Sequence, residues 1–403
     1  MRPRLAILPW GDAIEDFLDP LGLSLEAFRD EMAGGWLFGY VEALRRAGAD
    51  ATVVCCARGV GTVRRWRHAP SGAPLVVLPV TRAARAARGR VREPYPSYLA
   101  TPPLRLAREA RRAGWRALLV QEYDTPRFDV CVALGRALGV PVFATFQGGY
   151  APGARLERVL RPRSLRAAAG AIIASGAEAE RVRADYGVRA DRIAAIPNPL
   201  DLDVWSRPAD PGGRAALGLP ADAVVVAWHG RVDIARKGLD VLLEAWAALL
   251  DRPDLPERRL LLVGTGPDAA DLRARLEALD GVTWVDRYIL DKPEVAALLA
   301  TADVYAFPSR HEGFPVAPLE AMAAGLPLVS AAAPGIAEIL PDGRASGGVV
   351  VPVGDPGAFA EALAELIVDG PGRARLGASA RAHVASAFSL DAVGAALRRA
   401  LVP

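Results

Sequence analysis

Short apolar runs rich in β-branched residues alternate with amphipathic helical stretches along the whole chain, and this alternation is the strongest constraint on its fold. It is typical of doubly wound α/β units, in which each parallel strand is followed by a helix. The predicted strands are Leu5–Leu8, Ala51–Cys55, Leu75–Leu78, Ala117–Val120, Val142–Thr145, Ala171–Ala174, Val224–Trp228, Arg259–Val263, Val282–Val285, Val304–Phe307, Leu328–Ser330 and Gly348–Val351.

The 403 residues exceed what one hydrophobic core usually supports, which predicts two domains. The stretch IPNPLDLDVWSRPADPGG is rich in Pro, Gly and Asp and has no periodicity, so we place a hinge there. We therefore predict a Rossmann-like domain over 1–200, a second over 201–388, and a final helix within 389–403 that crosses back to the first. Ligands of such sheets bind beyond the carboxyl ends of the strands.

Composition excludes several classes of protein. The net charge of +3 is too small to indicate nucleic-acid binding. The sequence contains no run of 18 apolar residues, so we predict no membrane-spanning helix. Cys55, Cys56 and Cys131 have neither a disulfide pattern nor metal-ligand spacing, which predicts a reducing, cytoplasmic location. The apolar N-terminal stretch is too short for a signal peptide and is interpreted as the first core strand.

One basic segment, TRAARAARGRVRE, stands out from this mild charge. It contains Arg82, Arg85, Arg88, Arg90 and Arg92. Two interpretations stay open: a solvated face or loop, or a surface for anionic lipid or an acidic acceptor. The second would place the protein peripherally at the inner face of a membrane.

The first unusual loop, HGRVDIARKG, follows the predicted strand Val224–Trp228. Gly230 lets the chain turn, and Arg231 and Lys237 can converge ahead of a helix predicted to start near Gly238. Two cations beside a helix N-terminus form an anion site, and the helix end alone contributes up to ~2 kcal/mol. Two ordinary surface charges are the alternative, but their place directly after a strand favours phosphate binding.

A second loop, VGTGPDAADL, resembles part of a dinucleotide fingerprint. Gly264 and Gly266 follow a strand, and Pro267 suits the first position of a helix. Asp286 ends the next strand about twenty residues on, where a ribose-binding acid would belong. An NAD(P)-linked Rossmann oxidoreductase therefore stays an alternative interpretation, although the third glycine of the fingerprint is missing.

The third loop, HEGFPVAPLEAMAAG, sets Glu312 and Glu320 eight positions apart after the predicted strand Val304–Phe307. Its Pro-containing turn is expected to expose the backbone amides of Gly313, Phe314 and Val316. A helix beginning near Val316 would carry Glu320 about one turn inside it. The two carboxylates could each accept hydrogen bonds from hydroxyl groups, whereas the plain alternative is a capped helix with surface glutamates.

Read together, these stretches resemble the retaining glycosyltransferases of family 4. HEGFPVAPLEAMAAGLPLV is similar to the family's Glu-x7-Glu motif, and HGRVDIARKGLDVLLEAW to its Gly-Arg…Lys-Gly segment. VGTGPDAADL, ASGAEAERVRADYGV and IPNPLD match in order and spacing. The resemblance is strong over 170–390 and loose over 1–170. It implies the GT-B fold, two Rossmann-like doubly wound domains facing across a cleft.

The resemblance implies a role for each matching residue. Arg231 and Lys237 would hold the diphosphate of a nucleotide sugar, Glu320 the ribose hydroxyls, and Glu312 the hydroxyls of the donor sugar. Arg231, Lys237 and Glu312 would thus act in catalysis. The remaining implied donor contacts are Gly34, Gly35, Gln147, Gly230, Gly264, Arg287, Tyr288, Gly313, Phe314, Pro315 and Val316. Of these, the two glycines of the AGGW loop would approach the phosphates, and the segment 286–288 would meet the nucleobase.

Some positions depart from the family pattern. Gln147 stands where many relatives carry histidine, so it can bind a hydroxyl but carries no positive charge. Residues 12–33 lengthen the first connection and are expected to form a packed helical insert that shapes the acceptor pocket or simply packs. Glu122, at the end of a strand, and Trp36 are the predicted acceptor contacts.

We therefore predict a metal-independent, retaining transferase that moves a sugar from a nucleotide-diphosphate sugar to an acceptor hydroxyl without a cofactor. Arg231, Lys237 and helix amides would stabilise the leaving diphosphate. The one Asp-x-Asp sequence, Asp201 to Asp203, is interpreted as part of the hinge and not as a metal motif. A nucleotide-sugar epimerase, an NAD(P)-linked oxidoreductase and a non-catalytic sugar-nucleotide-binding partner remain as alternatives.

Overall fold

The computed structural model describes residues 2–9, 11–32, 36–87, 95–146, 148, 154–206 and 210–402. The chain divides into two compact units. The first consists of Met1–Pro199 and Leu390–Pro403, and the second of Leu200–Ser389.

The first unit contains an eight-stranded sheet with the order β3-β4-β2-β1-β5-β6-β7-β8. Every pairing is parallel except that of β3 with β4. Its strands are β1 (Arg4–Leu8), β2 (Asp50–Ala57), β3 (Arg64–Arg67), β4 (Pro74–Pro79), β5 (Ala117–Gln121), β6 (Val142–Thr145), β7 (Gly170–Ile172) and β8 (Ile193–Ala194).

Helices follow most of these strands and cover the sheet. They are α1 (Glu15–Leu18), α2 (Leu25–Asp30), α3 (Trp36–Arg46), α4 (Arg82–Ala87), α5 (Tyr95–Ala100), α6 (Pro103–Ala113), α7 (Pro126–Leu138), α8 (Arg155–Ala167) and α9 (Gly176–Tyr186), with 3₁₀ turns at Asp19–Leu21 and Ala190–Arg192. The last helix of the chain, α20 (Leu390–Leu401), packs against α3 of this unit.

The insert after β1 is helical and packs into the first unit. Ser24 caps α2 by accepting from the amide of Ala27, and Phe28 on that helix is buried. The Phe28 ring lies 6.1 Å from that of His68, which in turn stacks on Phe38 at 3.6 Å. This segment therefore has a packing role, through an aromatic cluster that the hydrophobic pattern of the insert indicated only in part.

The second unit contains a six-stranded, wholly parallel sheet with the order β11-β10-β9-β12-β13-β14. Its strands are β9 (Val224–His229), β10 (Arg258–Val263), β11 (Val282–Val285), β12 (Val304–Phe307), β13 (Leu328–Ala331) and β14 (Gly348–Val351). Its helices are α10 (Leu202–Trp205), α11 (Gly213–Ala216), α12 (Ile234–Lys237), α13 (Leu239–Leu250), α14 (Ala269–Leu276), α15 (Lys292–Leu299), α16 (Ala317–Ala323), α17 (Ile336–Ile339), α18 (Pro356–Val368) and α19 (Gly370–Ala387), with a 3₁₀ turn at Gly343–Ser346.

These two sheets confirm the predicted α/β class. Strand order reverses beside β9, so the loops after β9 and β12 leave the sheet next to each other, where ligands of doubly wound sheets bind. No helix among the described residues is long and apolar enough to cross a bilayer.

Candidate functional site

The loops after β9 and β10 are packed against each other through glycines. The backbone of Gly264 has φ = 126°, and a Cβ there would lie 2.0 Å from the carbonyl oxygen of Gly230. The amide of Val232 donates to Thr265 across the same contact, at 3.0 Å. Glycine is therefore required at position 264 because the two loop backbones are in contact there. This packing explains the glycine of the Gly-x-Gly sequence, so the sequence need not indicate a dinucleotide site.

Lys237 and Glu312 form the central ion pair of the site. Lys237 Nζ donates to Glu312 Oε1 at 2.7 Å, and the side chains are 21% and 7% exposed. Lys237 lies in the last turn of α12, whereas Glu312 lies in the loop after β12, so the pair joins two neighbouring strand ends. An ammonium group has three N–H donors, so this contact leaves Lys237 able to bind a further anion.

The other predicted cation, Arg231, is exposed, and no partner is found for it within the described part of the chain. The start of α13 is less open than its sequence indicates. A Cβ at Gly238 would meet the carbonyl oxygen of Pro308 at 2.1 Å, and Asp240 in the first turn pairs with Arg310 at 2.7 Å. Any anion site here therefore relies on the side chains of Arg231 and Lys237 more than on the amides of α13.

Glu320 lies in α16 and contacts His229, the last residue of β9. His229 Nε2 and Glu320 Oε2 are 2.9 Å apart, and both side chains are mostly buried. The hydroxyl of Tyr305 on β12 donates to the carbonyl of His229 at 3.2 Å, and the His229 amide lies 3.4 Å from the same hydroxyl. The carboxylate is thus held beside the ends of β9 and β12.

The surroundings of Glu320 favour its ionised form. Burial raises the pKa of this carboxyl, but the hydrogen bond with His229 and the positive charge of Lys292 outweigh burial and hold the pKa below its usual value of about 4.5. The charge of Glu320 reaches Tyr288 as well: burial first, and then this charge, raise the pKa of the Tyr288 phenol. Tyr288 and Glu320, two predicted donor contacts, therefore interact electrostatically.

The segment predicted to meet the nucleobase leaves the end of β11. Asp286 forms an ion pair with Arg273, and Arg287 forms one with Glu294. The indole of Trp284 on β11 donates to the carbonyl of Gly264 at 2.9 Å, which ties this strand end to the glycine loop. Asp286 is thus occupied by an arginine and does not stand as a free ribose-binding acid. Tyr288 is 48% exposed and offers an accessible ring.

The turn between the two glutamates is largely buried. Gly313, Phe314 and Pro315 are all buried, and Val316 is half-buried. The ring of Phe314 lies 6.2 Å from that of Phe388 and packs in the interior of the second unit. The predicted donor contacts of this turn would therefore be made by its backbone.

In the first unit, the predicted acceptor residue Glu122 follows β5. It is 7% exposed and adopts a left-handed backbone conformation, with φ = 75°, which is uncommon for a residue with a Cβ. Such strain is found at functional sites more often than elsewhere. Trp36 begins α3, and its side chain, like Gly34, Gly35 and Gln147, lies outside the described residues. In the second unit, Asp201 accepts from the amide of Asp203 and caps α10, a structural use of the Asp-x-Asp sequence.

Three side chains of the site were not singled out from the sequence: His229, Lys292 and Tyr305. A histidine directly before Gly230 and one of only two lysines in the chain were visible signals. Neither could be linked to Glu320 without the sheet order, because His229 and Glu320 are 91 residues apart.

Comparison with protein families identifies matches over both halves of the chain. Residues 223–369 match the model described as glycosyl transferases group 1, and residues 37–204 match glycosyltransferase family 4.

Curated relatives agree. The D-inositol 3-phosphate glycosyltransferase of Xylanimonas cellulosilytica is 34% identical over 301 residues, which cover 71% of this chain and 68% of that protein. The protein of the same name from Streptomyces scabiei is 36% identical over 251 residues, covering 59% and 55%. Several of the curated relatives are therefore matched over only about half of their length.

Solved structures share the fold over the whole chain. Sucrose-phosphate synthase from Thermosynechococcus elongatus aligns with a TM-score of 0.71 at 21% identity, covering 99% of this chain and 98% of that one. HepE of Anabaena in complex with UDP aligns with a TM-score of 0.73 at 17% identity, covering 100% and 99%. At these identities the likeness shows the GT-B fold alone.

Proposed function

The chain belongs to glycosyltransferase family 4, and on that premise we propose that it transfers a sugar from a nucleotide-diphosphate sugar to an acceptor hydroxyl, with retention and without a metal ion. The observation that carries the proposal is the contact of Lys237 with Glu312 at 2.7 Å. The ammonium group of Lys237 suits phosphate and the carboxylate of Glu312 suits sugar hydroxyls. A single ion pair would thus contact the donor on both sides of the bond that the reaction breaks.

The donor would extend along the ends of β9 and β12. Glu320, held by His229, would accept hydrogen bonds from the ribose, and the ring of Tyr288 would lie near the base. Lys237 and Arg231 would neutralise the diphosphate, and the carboxylate of Glu312 would accept from the sugar. The separation of the two glutamates would then follow the length of the donor.

The chemistry needs charge stabilisation where the leaving diphosphate develops negative charge. The bond between the anomeric carbon and the diphosphate oxygen breaks, and the acceptor oxygen bonds to that carbon from the same face. The acceptor proton passes to a phosphate oxygen of the leaving group. Lys237, fixed by Glu312 before the donor arrives, needs little reorganisation to stabilise this charge, and we propose no protein nucleophile.

The identities of donor and acceptor are choices for the first tests. HepE of Anabaena has been solved with UDP and with UDP-glucose. The curated relatives are named for D-inositol 3-phosphate. These names support UDP-glucose as the first donor and a phosphorylated polyol as the first acceptor to be tried.

A peripheral membrane contact of the first unit belongs to the same proposal. Arg82 and Arg85 on α4 are exposed, whereas Arg88, Arg90 and Arg92 lie outside the described residues. Leu99 and Leu104 nearby in the chain are 46% and 73% exposed, and the Thr81 hydroxyl that precedes α4 donates to the carbonyl of Leu99 at 2.6 Å. Exposed leucines and arginines in the same part of the chain suit the surface of an anionic bilayer on the cytoplasmic side.

The test is a thermal-shift panel of UDP, GDP, ADP, NAD and NADP in EDTA. A ligand present at 100 times its Kd should stabilise the protein by about 2.7 kcal/mol. We expect stabilisation by at least one nucleoside diphosphate. Stabilisation by NAD or NADP alone would refute the proposal. Product formation from UDP-glucose with an acceptor, followed by mass spectrometry, separates a transferase from an epimerase, which needs no acceptor.

A further inference from the structure

The two oxygens of the Glu320 carboxylate are used differently. Oε2 lies 2.9 Å from His229 Nε2, whereas Oε1 has no hydrogen-bond partner within residues 210–402. The side chain is 14% exposed, so part of the carboxylate remains accessible. One oxygen is thus taken by the protein and the other is left for a ligand.

The direction of the His229 hydrogen bond follows from the state of Glu320. The pKa of Glu320 lies below its usual value, because its hydrogen bond with His229 and the charge of Lys292 outweigh burial, so the carboxylate is ionised and can only accept. Nε2 of His229 must therefore carry the proton. Nδ1 is buried and has no partner in the described chain, so Glu320 is the one side chain there that the imidazole binds.

The backbone of His229 is fixed to the neighbouring strand. His229 ends β9, and its carbonyl and amide both contact the hydroxyl of Tyr305 on the adjacent strand β12. The rings of His229 and Tyr305 lie 5.4 Å apart. The donor to Glu320 is therefore mounted on the sheet and not on a mobile loop, which is the arrangement that best fixes a partner side chain.

We propose that His229 is a positioning residue that orients Glu320 for the ribose: by occupying Oε2, it directs Oε1 toward the ribose hydroxyls of the nucleotide. This inference rests on the proposed function and adds a residue to it. A free glutamate must lose rotamer freedom when it binds a ligand, whereas one already held by His229 has lost it in the folded protein. The smaller entropy loss on binding should appear as a higher affinity for nucleotides that carry ribose hydroxyls than for nucleotides that lack them.

The experiment compares UDP, GDP and ADP with their 2′,3′-dideoxy analogues by isothermal titration calorimetry. The proteins are wild type, His229→Leu and His229→Gln. For wild type we expect the best nucleoside diphosphate to bind at least about tenfold more tightly than its dideoxy analogue. His229→Leu should reduce this ratio to about threefold or less. His229→Gln, whose amide can still donate to Glu320, should retain most of it.

The matched control is Tyr305→Phe, which removes only the hydroxyl contacts with the His229 backbone and leaves the hydrogen bond between the imidazole and Glu320 and the pairing of β9 with β12 in place. It should keep the wild-type ratio. A ratio of two affinities does not depend on the fraction of correctly folded protein, so a loss of stability alone leaves it unchanged. Thermal unfolding of each variant checks that a folded state exists.

Two outcomes overturn the inference in distinguishable ways. If wild type discriminates against the dideoxy analogue and His229→Leu does so equally, His229 does not position Glu320, and the proposed function stands. If wild type binds no nucleoside diphosphate, the proposed function fails and the inference fails with it.

Discussion

The two units have related sheets but hold their cations in different ways. Apart from β3 and β8 at its edges, the first sheet has the same order of strands as the second. In the first unit, Arg127 is 1% exposed and donates to the backbone carbonyls of Pro9 and Asp12 at 2.5 and 2.6 Å. In the second, the half-buried Lys237 contacts one carboxylate oxygen within the described residues, which leaves N–H donors available. Nε of Arg127 donates to the Thr101 hydroxyl at 3.3 Å, so each nitrogen of this guanidinium bonds within the protein, which is a structural arrangement. A cation with unused donors can instead bind a ligand.

The largest effect is expected from Lys237→Ala, which removes the cation proposed to stabilise the leaving group. We expect kcat to fall about 100- to 1,000-fold, as when a preorganised donor to a developing charge is lost. Arg236→Ala is the matched control, because it removes the same charge from the neighbouring residue, whose side chain bonds the carbonyl of His311 at 3.3 Å. Equal losses in the two variants would show that charge alone, and not the Lys237–Glu312 pair, matters.

Arg127→Ala tests the other half of the comparison. It leaves buried carbonyls without donors, so we expect the free energy of unfolding to fall by about 3 kcal/mol. Urea denaturation measures this loss. Nucleotide affinity of the folded variant should stay within about twofold of wild type, since most of the proposed donor contacts, including Lys237 and Glu320, lie in the second unit. A loss of stability below about 1 kcal/mol would contradict the structural role.

Glu320→Gln should weaken nucleoside diphosphate binding about tenfold, because a hydrogen bond to a charged acceptor is replaced by a neutral one. The pKa of Glu320 is lowered, so its ionised form persists at moderately acidic pH, and its contribution is lost only as pH falls through that lowered value. Within the described residues, the charged or titratable groups that interact with it are His229, Lys292, Tyr288 and Tyr305.

Calorimetry as a function of pH checks the sign of this effect. The affinity ratio between wild type and Glu320→Gln should stay constant from about pH 8 to pH 5 and narrow only below the usual glutamate value of about 4.5. Narrowing that begins near pH 7 would indicate that a group other than Glu320 controls ribose binding.

A smaller effect is expected at Glu122, the predicted acceptor contact of the first unit. Glu122→Gln should raise the KM for a phosphorylated polyol acceptor about fivefold, the cost of weakening one hydrogen bond. The Kd for UDP should not change. Initial rates at varied acceptor concentration measure the first quantity, and a change confined to the Kd for UDP would remove Glu122 from the acceptor side.

The smallest expected effect concerns the membrane contact. Leu104→Glu should lower the affinity for vesicles rich in phosphatidylserine about threefold, because the leucine side chain can no longer insert partly into the bilayer. Val368→Glu is the control, since Val368 is similarly exposed, at 64%, but lies in the second unit. Equal vesicle binding by the two variants would show that the surface near α4 and α6 does not contact the membrane.

Local patterns predicted the fold well where hydrophobic periodicity was regular. Strands β11, β12 and β14 begin and end at the predicted residues. By contrast, β3 (Arg64–Arg67) was missed because its sequence, RRWR, is charged and three of its four residues are exposed. An edge strand that buries little side-chain surface has no apolar pattern to find.

The site was predictable to the extent that a motif is local. The sequence could place Glu312 and Glu320 after one strand, because they lie in one loop and the helix after it. It could not show that His229 contacts Glu320, or that Lys237 contacts Glu312, because these pairs depend on β9 and β12 being neighbours. The first unit offered fewer signals, since long connections such as residues 12–33 follow no fixed motif.

The measurement that tests the central claim most directly is calorimetric binding of UDP, uridine and 2′,3′-dideoxy-UDP to wild type, Lys237→Ala and Glu320→Gln, in EDTA. If the two residues contact opposite ends of the donor, Lys237→Ala will lower the affinity for UDP and leave the affinity for uridine unchanged. Glu320→Gln will lower the affinities for UDP and uridine but not that for the dideoxy analogue. If both variants weaken all three ligands equally, or if UDP binds only when a divalent metal ion is added, the account is contradicted.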